Sequence, residues 1–447
     1  MWAWTQLDIL GKGNNAIVDG PFGSNLKTSD YINDSVNGVP VLTTKNLEGD
    51  YSEKSVRFIS QKKYEELKRS QVNGGDILVA KIGSIGKTGI YPKNAKTAII
   101  PANLLKFTVT DRVNFKFVYN YLNYSGFQKL IKSIARATAQ PAFNVTKFRT
   151  LKIPLPPSPE QHRIVSKIEE LFSELNNGIE NLKKARGQLK TYRQAVLKYA
   201  FEGKLTEEWR VLQRRAGNPP EPAEKLLEHI RKEREKHYKK QLDDWEKSCE
   251  LAEADGKKKP SKPQKPKELP PLTEKELANL PDLPEGWGWV SVGNLCSVVR
   301  GGSPRPAGDP KYYGGKIPFL KVADITGETQ PYLKDYKYTI KEVGLTKTRL
   351  VGTNTLLISN SGATLGVPKI CLIQATFNDG IAAFLGIDEE SLLFHYYFWL
   401  SKTEQLRNIN QGAAQPNLNT DIIADIALPL CSRTEQHAIV QEIESRL

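Results

Sequence analysis

Cysteine is scarce in this chain of 447 residues. Cys249, Cys296, Cys371 and Cys431 form no C-x-x-C pair, and the five histidines do not supply the missing ligand spacing, which excludes a disulfide framework and the common zinc sites. Long apolar runs are also missing. Nothing approaches the roughly 20 consecutive apolar residues of a membrane-spanning helix, and the N-terminal residues Met1 to Leu10 lack a basic segment followed by an apolar one, so the chain is expected to be soluble and cytoplasmic.

Complete catalytic and cofactor motifs are the third absence. Gly86, Lys87 and Thr88 read G-K-T, but Lys81 occupies the position where a phosphate-binding loop needs its first glycine, and Pro92 follows where a helix should begin. Asn218-Pro219-Pro220 is similar to the start of an amino-methyltransferase motif, yet Glu221 stands where the aromatic ring is needed and no glycine-rich loop precedes it. An autonomous NTPase or methyltransferase is therefore disfavoured, and the expectation is no catalytic residue, no metal and no cofactor in this chain.

What is present begins with charge. The net charge of +14 suggests a polyanionic partner. Its distribution is uneven: residues 1–150 carry 21 Lys and Arg against 11 Asp and Glu, residues 151–285 carry 28 against 24, and residues 286–447 carry 15 against 15. The last third would have to hold a polyanion through local patches.

The chain also repeats itself. Ala139-Gln140-Pro141 through Asn144, Pro154-Leu155 and Glu160-Gln161-His162-x-Ile164-Val165-x-x-Ile168-Glu169 recur, 275 positions later and without a gap, as Ala414-Gln415-Pro416 through Asn419, Pro429-Leu430 and Glu435-Gln436-His437-x-Ile439-Val440-x-x-Ile443-Glu444. Trp2-x-Trp4 answers Trp287-x-Trp289, and the run from Gly38 to Leu47 answers that from Gly315 to Ile325. The G-K-T stretch now finds its place. GDILVAKIGSIGKTGIY lies where the second copy has NTLLISNSGATLGVPKI, and both read as strand, glycine turn and strand. Each copy continues into an aromatic-rich helical segment, Phe115 to Ile134 and Ser391 to Ile409, whose rings are expected to fill a core. Each copy is thus an α+β domain.

Between the copies, Ile164, Ile168, Leu171, Leu175, Ile179, Leu182, Leu189, Tyr192, Val196 and Tyr199 advance by threes, fours and one seven, as in a coiled-coil seam. Pro156, Pro157, Pro159 and Ser158 mark its start and Gly203 its end. A helix of roughly 40 residues spans about 60 Å and can act as a strut. The expected organisation is a first recognition domain at 1–157, a spacer helix at 158–203, a charged helical and Pro/Lys linker at 204–285, a second domain at 286–431, and the start of a truncated distal spacer helix at 432–447.

Two diverged domains, each followed by P-L-x(4)-E-Q-H-x-I-V, together with F-E-G-K-L-T-E-x-W at Phe201 to Trp209 and LPEGWGWVSVGNL opening the second copy, resemble the specificity subunit of a type I restriction-modification system. The resemblance implies that each domain reads one half of a split, asymmetric site in double-stranded DNA. It also implies that two modification (methyltransferase) subunits dock on the spacers, and that S-adenosylmethionine, ATP and Mg are used by the modification and restriction (translocase/endonuclease) subunits. Direct readout calls for Arg or Lys against guanine and Asn or Gln against adenine. The candidate DNA contacts are Lys45, Asn46, Lys81, Ser84 and Lys87 in the first domain and Arg300, Arg305, Lys321, Asn360 and Ser361 in the second. Gln140 and Gln415, shared by both copies, read as architectural. The seam from Ile164 to Val196 is the candidate subunit interface, and the short helix from Glu435 predicts that the seam pairs between chains or under modification subunits. The alternatives are a DNA-free coiled-coil scaffold and a decayed, truncated specificity subunit.

Overall fold

The computed structural model describes residues 1–21, 24–49, 55–135, 142–254, 256, 259–327, 330–362, 364–409 and 418–447. They form two compact units, Met1–Lys183 and Lys184–Leu447.

In the first unit an antiparallel sheet has the order Ile17–Asp19, Leu104–Phe107, Ile77–Ala80, Thr88–Ile90. Ile77, Leu78, Val79 and Ala80 are all fully buried, which explains an uninterrupted apolar run, since such a strand is covered on both faces. Alternation then divides the core. Ile77, Val79, Leu105 and Phe107 pack with Phe117, Leu122, Phe127 and Ile131, whereas Leu78, Ala80 and Leu104 pack with Val72, Ala98 and Ile100, on the side of a second sheet ordered Tyr31–Ile32, Arg57–Ile59, Val39–Val41, Ala98–Ile99, Gln71–Val72. Each fully buried aliphatic or aromatic side chain contributes about 1.5–3 kcal/mol.

The second unit repeats this plan. Thr355–Ser359 lies between Ile381–Leu385 and Pro368–Cys371. Leu356, Ile358 and Phe384 face the helix Leu392–Ile409 with its buried Phe394, Phe398 and Trp399, while Leu357, Cys371 and Ala383 face the other sheet. The aromatic-rich segments are core, as expected. The one in the first copy is two helices, Phe115–Asn123 and Ser125–Ser133, because Tyr124 between them is extended.

The spacer is one continuous helix, Ser158–Phe201, undisturbed by Gly178 and Gly187. Gly203 at φ +71° turns the chain out, and the Lys204 amide donates to the Tyr199 carbonyl at 2.9 Å, a glycine-dependent helix stop. The chain then forms Glu207–Arg215 and the linker helix Ala223–Ala254. Residues 259–272 of the Pro/Lys stretch have no regular structure but are pinned. Asn294 accepts from the Leu269 amide at 2.8 Å and donates to its carbonyl at 3.2 Å, and Trp245 donates to Pro260 at 2.9 Å.

The helix Arg433–Glu444 is built into the second unit, with Ala438, Ile439, Val440 and Ile443 buried. At its start the Glu435 carboxylate, 1% exposed, accepts from Thr206 Oγ1 at 2.8 Å, Arg210 Nη1 at 2.5 Å and Trp287 Nε1 at 2.9 Å. A buried carboxylate is tolerated only when paired and hydrogen-bonded in this manner.

His395 lies buried in the helix Leu392–Ile409 with Nδ1 unpartnered among the described residues. Desolvation lowers its pKa from 6.5 to about 4. The unfolded chain therefore binds the extra proton between those values, and stability present above pH 6.5 is lost as pH falls toward 4, by about 1.4 kcal/mol per pH unit. Urea unfolding of the full chain at pH 7, 5.5 and 4.5 should show this decline, and His395→Leu should make it shallower. Equal declines would mean that His395 is protonated in the fold.

Candidate nucleic-acid interface

The two glycine turns have one backbone frame. In the first copy the Gly86 amide donates to Ala80 at 2.9 Å, the Lys81 amide to Asn103 at 2.8 Å, and the Phe143 amide to Lys81 at 3.4 Å. In the second, Gly366 donates to Ser359 at 2.8 Å, Asn360 to Gly380 at 2.9 Å, and Leu418 to Asn360 at 2.8 Å. Gly83 and Gly86 at φ +79° and +82° correspond to Gly362 and Gly366 at +80° and +84°, a conformation that glycine adopts without steric cost. In the first copy Thr88 of the G-K-T residues already begins the strand Thr88–Ile90, and the turn's own carbonyls hold its amides, so this is no phosphate cradle.

The side chains on this frame differ. Lys81 Nζ meets Asp19 Oδ2 at 2.6 Å, and both side chains are largely buried. The sheet register places Arg300 in the second copy where Asp19 sits in the first: Asp19 pairs with Leu105 and Leu105 with Val79, just as Arg300 pairs with Ala382 and Ala382 with Ile358. The positions held by Lys81 and Asp19 in the first copy are thus held by Asn360 and Arg300 in the second.

Around Arg300 the second copy gathers positive charge. Arg300 Nε donates to the Asp379 carbonyl at 2.6 Å, Ser303 to Asp379 Oδ1 at 2.6 Å, and Arg305 lies 3.6 Å from Asp379 Oδ2. Arg349 Nε reaches the Arg300 carbonyl at 2.9 Å. Arg300, Arg305 and Arg349 are exposed. Sequence reading missed Arg349, because only the pairing of Arg349–Val351 with Ala375–Phe377 brings it here, and no local motif reports that. Lys321 Nζ sits 3.4 Å from the Tyr338 ring centroid, and Ser361 is half-buried near Gly380.

In the first copy Lys45 and Ser84 are exposed, and Lys87 pairs with Glu48, whose pKa that contact lowers. Three of the residues chosen for base contact are instead interior. Asn46 is fully buried, its Oδ1 accepting from the Thr43 amide at 2.5 Å and its Nδ2 donating to Ser55 at 3.1 Å, so it caps a turn. Lys81 is held by Asp19. Asn360 is fully buried, with neither amide atom partnered among the described residues. A side chain without exposed polar atoms presents nothing to a base edge, and these three leave the set of candidate contacts. Gln140 and Gln415 lie outside the described residues.

The candidate interface on the helix is also altered. Leu171, Leu175, Ile179, Leu182, Leu189 and Tyr192 are exposed, joined by Phe172, which the seam pattern did not single out. Val196 is buried in the core of the second unit, and Ile164 packs partly against that of the first, so both serve folding. Ile168 is half-buried. Among the described residues no His/Cys/Asp/Glu group could hold a metal, and no helix is long and apolar enough to cross a membrane. Burial pushes the Cys296 thiol up to about 12, which keeps it protonated and unreactive at neutral pH.

The chain is thus a duplicated α+β module with one long helix following the first copy. The family model described as the type I restriction modification DNA specificity domain matches residues 23–184 and 284–445, more than half of the sequence, and the chain belongs to this family. It is 27% identical over 214 residues to the type I restriction enzyme EcoBI specificity subunit of Escherichia coli, covering 47% of this chain and 44% of that one. It is 23% identical over 209 residues to the EcoKI specificity subunit of Escherichia coli K12, covering 45% of each. In these matches the chain spans less than half the length of either relative. Its fold resembles the crystal structure of the HsdS subunit from Thermoanaerobacter tengcongensis, with a TM-score of 0.55 at 16% identity over 100% of this chain and 88% of that one.

An unpartnered buried amide costs stability that an apolar side chain of similar size restores. Asn360→Leu should therefore leave the thermal midpoint unchanged or raise it, by up to about 1–2 kcal/mol of stability. A clear fall would mean that the amide has a partner in solution.

Proposed function

We propose that this chain is the non-catalytic, sequence-reading subunit of a type I restriction-modification assembly, and that each copy of the module reads one half of a bipartite, asymmetric site in double-stranded DNA. The observation that carries the proposal is one repeated turn frame in two copies whose accessible side chains differ, Lys45, Ser84 and Lys87 in the first and Arg300, Arg305 and Arg349 in the second. Two readers with the same scaffold and different tips suit a site with unlike halves. Exposed Arg300, Arg305 and Arg349 supply the phosphate and base contacts of the second copy, whose overall charge is neutral. Lys45, Ser84 and Lys87 supply those of the first. The chain itself uses no cofactor. Methyl transfer from S-adenosylmethionine and ATP- and Mg-dependent cleavage belong to cytoplasmic modification and restriction subunits that this chain directs to DNA.

If the second copy binds through a few arginines, then Arg300→Ala with Arg305→Ala should raise the dissociation constant for specific duplex by about tenfold or more, and reduce the slope of log K against log salt by about one per phosphate contact removed. Lys262→Ala with Lys265→Ala in the linker is the control and should change either quantity far less. Equal losses would show that the charge acts diffusely.

The exposed row from Leu171 to Tyr192 supports pairing between chains or cover by modification subunits, since each Leu or Ile buried there is worth about 1.5–3 kcal/mol. Light scattering of the purified chain at tens of micromolar should report self-association that Leu182→Glu with Leu189→Glu abolishes without loss of helical signal. A monomer at that concentration contradicts pairing between chains.

A further inference from the structure

The arginine cluster of the second unit is built around a carboxylate, Asp379, where the first unit has Ala102. The match follows from the turn frame: the Asn360 amide donates to the Gly380 carbonyl as the Lys81 amide does to that of Asn103, so the residues just before them, Asp379 and Ala102, correspond. The first copy carries its acidic residue elsewhere, at Asp19, which closes on Lys81 with both side chains largely buried. The Asp379 side chain is 43% exposed.

A negative charge on a surface that meets phosphates lowers affinity for every sequence. Asp379 offsets that loss by what it holds in place. Its carbonyl accepts from Arg300 Nε at 2.6 Å, its Oδ1 accepts from Ser303 Oγ at 2.6 Å, and its Oδ2 lies 3.6 Å from Arg305 Nη2. The main chain between the two arginines is fixed independently, since Gly301 donates to Ile381 and Gly302 to Phe377, both at 3.0 Å, and Tyr313 Oη donates to the Pro304 carbonyl at 3.0 Å. What Asp379 adds is the placement of side chains. An arginine with free rotamers settles on the phosphates of any sequence, whereas a guanidinium held in one orientation can make the two-pronged contact to guanine that specifies a base. With Nε engaged, Arg300 keeps its two Nη groups for such a contact.

We infer that Asp379 is the positioning residue of the second reader: its carbonyl orients Arg300, and its carboxylate, through Ser303 and the ion pair, orients Arg305, so that both guanidiniums address base edges of one half-site. The inference rests on the reading of this chain as a DNA-recognition subunit. It also accounts for the difference between the copies. Where the strand position of Arg300 is held by Asp19, no arginine has to be oriented from the neighbouring loop, and Ala102 suffices there.

The full chain is first used to select its motif from a randomised duplex pool, and dissociation constants are then measured by anisotropy for the selected duplex and for two duplexes with one or the other half scrambled. Asp379→Ala should lower the preference for the intact motif about tenfold or more at one half, the loss expected when a bidentate base contact is given up, and leave the preference at the other half unchanged. Its affinity for the duplex scrambled in the affected half should hold or rise, because a negative charge has left the DNA face. Ser303→Ala, which keeps that charge, should lower the same preference about threefold or more, as for one lost hydrogen bond, without raising affinity for scrambled DNA. Affinities of Asp379→Ala that rise together for all duplexes would reduce Asp379 to a repelling charge, and affinities that fall together with the thermal midpoint would reduce it to a structural residue; either result overturns the inference while the chain remains a sequence reader. A parent chain that selects no motif overturns that reading and this inference with it.

Discussion

Each recognition module depends on one long-range closure, an antiparallel pair of its first and last strands. Ala3–Gln6 pairs with Lys152–Leu155 and Gly288–Ser291 with Ala427–Leu430, with Trp4 opposite Pro154 and Trp289 opposite Pro429. Bringing such distant residues together costs loop entropy, and the four residue pairs of each closure would not offset it without the core enclosed by the module. The closure also directs the chain beyond the module. It delivers the indole of Trp2 or Trp287 to the glutamate that opens the next helix, and so fixes where that helix leaves the module.

The closure holds a frame that is indifferent to its tips. The glycines at positive φ and the three amide bonds of each turn are backbone features, and the turn has the same form with buried Lys81 in one copy and buried Asn360 in the other. The same indifference lets Asp19 and Arg300 exchange sign at matched positions in the sheet. A fold of this kind can diversify what it contacts while its core stays constant, which is the demand placed on a reader of varied sequences.

Much of the architecture was legible in the chain. The ungapped repeat, the continuous apolar run Ile77 to Ala80, and the helix bounded by Ser158 and Gly203 are local or self-referential patterns, and each corresponds to what is found. The depth of individual polar residues was not legible. Asn46, Lys81 and Asn360 look like surface residues because their types are usually exposed, whereas Asn46 caps a turn, Lys81 meets an aspartate 62 positions away, and Asn360 is fully buried where its main chain bonds to Gly380 and Leu418. Arg349 was missed for the converse reason: its neighbours come from strands distant in sequence. Val196 shows a third limit, since a seam pattern does not distinguish residues awaiting a partner from residues already packed within their own unit.

The central claim is that the two copies read independently. Replacing residues 286–428 with the matching domain of a relative, in cells that also supply the modification subunits, and then mapping methylated adenines across the genome tests it most directly. The account predicts a new motif in which one half is changed and the other half is retained. A motif changed in both halves, or methylation that does not depend on this chain, would contradict it.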